Sequence, residues 1–249
     1  MTFPAIRTLS QSLTYILVAN YNNTRVTSFD VRLYKDAIRS LAAGILYDFS
    51  DKYAGNNSLY ADIRQGLPIL GHTTDTDRAT ADTSRPGGTA VYTKIDITAS
   101  RVQDLKHSFA LVGLLKAQYG FQALLAAEQF AYGGSQFGRG YDPAELLGDK
   151  AIGGALELRY DWNIYQRFLN TVEPYAFYEI GKIWNYIETL NVPANSSAAS
   201  AGLGLRFVFT EHVTGNLWIA KPLTKAVSAQ ALVGEGHNVR GFFSLVASL

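Results

Sequence analysis

The sequence predicts an all-β chain of long antiparallel strands, and three observations predict it. Apolar residues recur at alternate positions through segments of ten or more residues, the period of a strand with one apolar face. From Arg39 onward the connections between these segments alternate short, long, short, long. The composition holds 15 Tyr, 13 Phe and 22 Gly against a single Met, and aromatic residues favour strands.

The elements follow in order. Leu13 to Tyr21 reads as a strand, Asn22-Asn23 as a tight turn and Arg25 to Val31 as the returning strand, because Asn tolerates positive φ. From Arg39 to Ser50, Leu41, Ala43, Ile45, Tyr47 and Phe49 alternate with small or polar residues. A turn at Lys52–Asn56 leads to a strand with Leu59, Ala61 and Ile63 opposite Tyr60, Asp62 and Arg64. Gly71–Gly88, rich in Thr, Asp, Arg and Gly, reads as a long exposed loop. Ala90–Ser100 and His107–Gln118 are the next two strands, with Lys94 and Asp96 on the polar side of the first. A loop from Gly120 to Lys150 precedes Ala151–Asp161, which carries Glu157 and Arg159 opposite Leu156, Leu158 and Tyr160. Val172–Trp184 sets Ala176, Tyr178 and Ile180 against Tyr175, Phe177, Glu179 and Gly181. After a loop at Asn185–Ser200, strands Ala201–Thr210 and Val213–Leu223 form a tight hairpin. Thr224–His237 is a loop, and Val239–Leu249 closes the sequence on an apolar residue. The count is eleven strands.

Composition removes several classes. No run of eighteen apolar residues is present, so no transmembrane helix is expected, which leaves a strand-built membrane barrel open. A net charge of +1 offers no footprint for nucleic acid. Zero Cys gives neither a disulfide framework nor a thiolate metal site. The first fifteen residues lack a basic region and an apolar core, so they are not a signal peptide, and the sequence is expected to start inside a longer precursor. Alternation by itself fits a soluble sandwich, with its polar face outside, as well as a membrane barrel, with its polar face lining a lumen. Segments of ten or more residues suit a tilted membrane crossing better than the ordinary soluble strand.

Residues 123–160 carry five pieces in order: Glu128-Gln129-Phe130, Gly133-Gly134, Gly138-Arg139-Gly140-Tyr141, Gly148-Asp149, and a strand ending Glu157-Leu158-Arg159-Tyr160. This stretch resembles the signature region of the two-partner secretion transporters, the outer-membrane haemolysin-activator barrels of the Omp85 superfamily. The resemblance implies an antiparallel transmembrane β-barrel in the bacterial outer membrane, of which residues 1–249 would be the C-terminal part, about eleven of sixteen strands. The signal peptide and the periplasmic POTRA domains of the family have no counterpart here. Residues 120–150 would be a long extracellular loop folded back into the lumen. The family's FxDxG-type motif is matched by Phe177-Tyr178-Glu179-Ile180-Gly181, with Glu179 in place of Asp. The resemblance therefore implies that Arg139 pairs with Glu179 and gates the pore, Gly140 and Gly181 allowing close approach and Tyr141 packing beside the guanidinium. Glu128, Phe130, Gly133 and Gly134 would anchor the loop, and Asp142, Glu145, Asp149 and Lys150 would be solvated loop charges.

The function implied is secretion of a large exoprotein of haemolysin or adhesin type through the barrel. Its partners would be the exoprotein, recognised through POTRA domains, the outer-membrane lipid, and the barrel-assembly machinery that inserts it. An Omp85-type assembly factor and a passive porin are the alternatives. No enzyme and no cofactor are expected: His72, His107, His212 and His237 are scattered without metal-ligand spacing, and Gly133–Phe137 lacks the final Gly of a nucleophile elbow. Glu157 and Glu179 on adjacent strands are expected to come within reach across the ladder, as a carboxylate pair open to acid–base chemistry or, as lumen carboxylates usually are, paired with arginines such as Arg159 and Arg206.

Overall fold

A computed structural model of the chain describes every residue except 75, 77–82, 167–168, 189–191, 211–212, 232–233 and 248–249. His212 and the terminal Leu249 therefore lie outside the described residues. The strands are β1 (Thr2–Arg7), β2 (Gln11–Ser28), β3 (Val31–Ser50), β4 (Gly55–Gly66), β5 (Thr93–Asp104), β6 (Phe109–Gly120), β7 (Phe130–Tyr132), β8 (Leu146–Gly148), β9 (Lys150–Tyr160), β10 (Trp162–Gln166), β11 (Leu169–Trp184), β12 (Asn195–Thr210), β13 (Val213–Pro222) and β14 (Arg240–Ala247). The main sheet runs β1-β2-β3-β4-β5-β6-β9-β11-β12-β13-β14, with β10 added to β11. Every pair is antiparallel, so the chain winds up and down as one wall of an outer-membrane-type barrel. The wall is open: among the described residues β1 and β14 each have one neighbouring strand. Strands β7 and β8 form a separate ribbon inside the β6–β9 connection.

Eleven strands lie on the main path, but the first three are not those read from the sequence. Asn22 and Asn23 sit inside β2, opposite Ile38 and Ala37, and no turn occurs there. The reversal falls at Phe29 and Asp30, with φ of 47° and 62°, as a two-residue hairpin requires. Thr24, Val26 and Thr27 hold the backbone extended past the asparagines. The segments read as Leu13–Tyr21 and Arg25–Val31 are thus one strand, and Thr2–Arg7 supplies the missing one. β12 also starts earlier than expected, at Asn195, so the Asn185–Ser200 loop is shorter.

Short connections gather at one end. Asp51–Ala54 is such a turn: Asp51 Oδ1 accepts the Tyr53 and Gly55 amides at 2.9 and 3.2 Å. The Arg101 guanidinium beside Asp51 holds its carboxyl well below the usual carboxylate range. Long loops leave the opposite end, where the β2–β3 hairpin also runs past Ser40, the last β3 residue paired with β4.

The two faces of the wall decide between the sandwich and the barrel. Leu41, Ile63, Leu115, Ile152, Ile180 and Leu203 share the outer face and are exposed. Asp62, Lys94, Glu157 and Glu179 share the inner face and are buried. An exposed apolar face with a covered charged face is the inverse of a water-soluble sheet. Aromatic residues mark both borders of the apolar band: Phe109 packs at a tilt against Tyr160 at the turn end, and Tyr119 edge-on against Phe121 at the loop end. Phe109 and Tyr119 bound β6, ~33 Å apart along the strand at ~3.3 Å per residue, or ~23 Å across a membrane at ~45° tilt. That matches the ~25 Å apolar band of such barrels.

Candidate functional site

The inner face is covered by the β6–β9 connection. Leu124 and Leu125 bury against Ile38, Ala90 and Tyr92, a 3₁₀ turn spans Ala126–Glu128, and the β7–β8 ribbon carries the tip. Gly133, Gly134 and Gly138 have φ of 118°, 107° and 83°, values closed to side-chain-bearing residues. They fold the tip so that the Gly133 amide donates to Phe137 O at 3.0 Å and the Gly134 amide to Tyr141 O at 3.1 Å.

The tip brings its own apolar cluster into a polar lumen. Tyr132, Phe137, Tyr141 and Leu146 bury with Ala151, Ile183 and Ala198 of the wall and Val227 of the β13–β14 loop. Wall glycines receive the rings. A Cβ on Gly181 would stand 2.5 Å from the Tyr132 ring, and one on Gly153 2.6 Å from that of Phe137. Gly140 of the tip meets Ser200 in the same way, at 2.7 Å. Gly181→Val is therefore expected to cost about 1–3 kcal/mol through overpacking, measured as faster protease cleavage between residues 133 and 145 than in wild type.

Charge completes the seating. Glu179 is 1% exposed and accepts three N–H groups: the Gly138 amide at 2.9 Å, the Arg139 amide at 2.6 Å and Arg139 Nε at 2.8 Å. A second arm of the same guanidinium reaches Glu157 Oε2 at 2.6 Å. The other oxygen of Glu157 accepts from Arg159 and Arg206, each at 2.7 Å, and Arg206 also pairs with Glu173. Arg139, Arg159 and Arg206 thus face Glu157, Glu173 and Glu179, and the formal charges cancel. The ring beside the Arg139 guanidinium is Phe177, 3.7 Å from its centre, and not Tyr141. Phe177 lies flat because Gly202 stands opposite it in register, where a Cβ would meet its ring at 2.4 Å. Tyr141 is instead held by its hydroxyl, 3.0 Å from Ala199 O and 3.1 Å from Lys225 O. Glu157 and Glu179 do not meet across the ladder, since Glu157 is opposite Phe177; Arg139 joins them.

Glu128 pairs with Lys94 at 3.1 Å, and Phe130 packs edge-on to Phe137. The four charges expected to be solvated are all engaged, Asp142, Glu145 and Asp149 because the loop is folded in and Lys150 by rings on the outer face of β9. Asp142 pairs with Arg240 at 2.5 Å. Glu145 pairs with Lys225 and accepts from Ser228 Oγ at 2.6 Å. Lys150 sits over the rings of Tyr119 and Tyr186. Asp149 is wholly buried: it accepts both ends of Arg85 at 2.5 and 2.9 Å and the Leu124 and Tyr186 amides at 2.8 and 2.9 Å. Arg85 escaped the sequence reading, since nothing marks one arginine in a Thr- and Gly-rich loop as buried. Among the described residues no group of three His, Asp or Glu is placed to hold a metal.

Residues 7–207 match the haemolysin secretion/activation proteins ShlB/FhaC/HecB as a family. Of solved structures, CdiB from Escherichia coli superposes on 99% of the chain with a TM-score of 0.79 at 17% identity, the match covering 44% of CdiB. CdiB from Acinetobacter baumannii gives 0.70 at 14% identity, over 99% of this chain and 41% of that one. The crystal structure of BamA from Haemophilus ducreyi lacking POTRA domains 1–3 gives 0.61 at 12% identity, over 99% of this chain and 53% of that one. The chain thus spans about half or less of the solved chains it matches. No curated protein matches it by sequence.

Proposed function

The chain belongs to the family of haemolysin secretion/activation proteins, and from that premise we propose that it forms part of an outer-membrane conduit for a secreted exoprotein, closed by its own lumen loop. The observation that carries the reading is the double grip of Glu179 and Glu157 on Arg139, which seats the tip across the polar face. Export would require this grip to open. The open edges of β1 and β14 cannot stay unpaired in hydrocarbon, so the reading includes further strands that complete the wall. Periplasmic POTRA domains would recognise the exoprotein, and the barrel-assembly machinery would insert the protein. A passive porin fits less well, because a tip held by buried ion pairs and ring-on-glycine contacts obstructs steady conduction. An assembly factor is disfavoured by the family match.

A disulfide tests the requirement for movement. The sequence has no cysteine, so Gly140→Cys with Ser200→Cys introduces one defined pair, the two Cβ positions being 2.7 Å apart before relaxation towards the ~3.8 Å a disulfide prefers. Secretion of the cognate exoprotein is expected to stop in the oxidised variant and to resume on reduction. Undiminished secretion with the bond formed would refute the moving loop.

A further inference from the structure

Every charged side chain that the described strands from β4 to β13 turn outward is a cation. Their outer register, shared by Ile63, Ile97, Leu115, Ile152, Ile180 and Leu203, holds no aspartate or glutamate. Its charges are Arg101 at the turn end, engaged by Asp51, and Lys150, Lys182 and Lys221 at the loop end. Lys150 opens β9, Lys182 lies beside the end of β11, and Lys221 lies beside the end of β13. Lys150 and Lys182 are diagonal neighbours, because Lys150 pairs with Trp184 and Lys182 with Ile152. Lys150 Nζ stands 4.5 and 4.3 Å from the ring centres of Tyr119 and Tyr186, and Lys182 Nζ 5.2 Å from that of Trp184. Neither lysine has a carboxylate partner among the described residues.

Beside Lys150 the outer wall is grooved. A groove of about 550 Å³ is lined by Ile95, Ile97, Ala117 and Ile152, with Tyr119 and Trp184 beside the lysine. Ala117, placed among larger neighbours, leaves the space. An apolar groove with cations at its head is complementary to an amphiphile with an acyl chain and a negative headgroup. The three lysines spread from β9 to β13, three strand spacings or ~14 Å, more than one phosphate can contact.

We propose that this face binds a bis-phosphorylated glycolipid in the leaflet at the long-loop end. One acyl chain lies in the Ala117 groove, and Lys150 and Lys182 hold a phosphate. The proposal rests on the outward register of the wall and is independent of the transport reading.

The test is native mass spectrometry of the protein purified from membranes in detergent, titrated with bis-phosphorylated lipid A. A discrete adduct is expected, weakened about fivefold by each lysine removed and so about 25-fold in Lys150→Gln/Lys182→Gln. Ala117→Phe fills the groove and is expected to weaken the adduct while leaving both lysines in place. Lipid A stripped of phosphate should bind wild type no better than the double variant binds the intact lipid, a comparison that stands even if the double variant misfolds. Equal binding of the two lipids by wild type, or unchanged binding by both variants, would overturn the site. Phosphatidylglycerol binding as tightly as lipid A would overturn the assignment to a two-phosphate headgroup.

Discussion

Replacing Arg139 by alanine is expected to unseat the loop tip, with the largest effect of any single change in the lumen. The substitution leaves Glu157 and Glu179 buried without the guanidinium that joins them. Breaking a buried pair from one side costs about 3–5 kcal/mol, a shift of roughly 150- to 5,000-fold in the docking equilibrium. Glu179 keeps the two backbone amides of Gly138 and Arg139, so the tip retains part of its seating. The measurement is single-channel conductance in planar bilayers, together with protease cleavage between residues 133 and 145. Both should rise sharply. Arg139→Lys should fall between, since an ammonium keeps the charge but cannot present the planar fork to two carboxylates. Wild-type conductance and cleavage in the alanine variant would remove Arg139 from any gating role.

Asp149→Ala is expected to act at the other end of the same connection and to leave the lumen tip alone. Asp149 gathers Arg85 of the β4–β5 loop, Leu124 of its own loop and Tyr186 of the β11–β12 loop on one carboxylate. Its loss strands a buried guanidinium and two amides, again on the order of 3–5 kcal/mol. Three segments at the long-loop end should loosen together, read as faster hydrogen exchange at residues 84–92, 121–125 and 185–188. Conductance should stay at the wild-type level, because the Arg139 grip lies elsewhere. Asp149→Asn should recover part of the protection, since its amide oxygen still accepts a backbone N–H. If loosening stays confined to one segment, Asp149 does not couple the loops.

The wall was legible in the sequence wherever one face is apolar and the other is not. Leu41 through Phe49 and Ile152 through Tyr160 announce their strands by period alone. The first hairpin was not legible, because Asn22-Asn23 has the composition of a turn while its place in the ladder is set by Ile38 and Ala37 on the partner strand. Local preference yielded there to pairing. At the site, the motif brought Arg139 and Glu179 to attention, but periodicity is silent on what a loop does once it turns inward. Tyr141 looked like the ring beside the guanidinium since it is near in sequence, whereas Phe177 holds that place through Gly202 across the sheet. Asp149 and Arg85, 64 residues apart, carry no shared signal of any kind in a single sequence.

In the conduit proposed above, the division of bulk between loop and wall has a consequence for a polypeptide passing through. The rings of Tyr132, Phe137 and Tyr141 belong to the tip, while the wall behind them offers Ala151, Gly153, Gly181, Ala198 and Ser200. When the tip leaves, its obstructions leave with it. What would stay there is a strip of backbone and small side chains, bordered by the charges of Glu157, Glu179, Arg159 and Arg206. On that reading the plug would carry its bulk away, and the track it uncovers would be lined by small residues between charged borders.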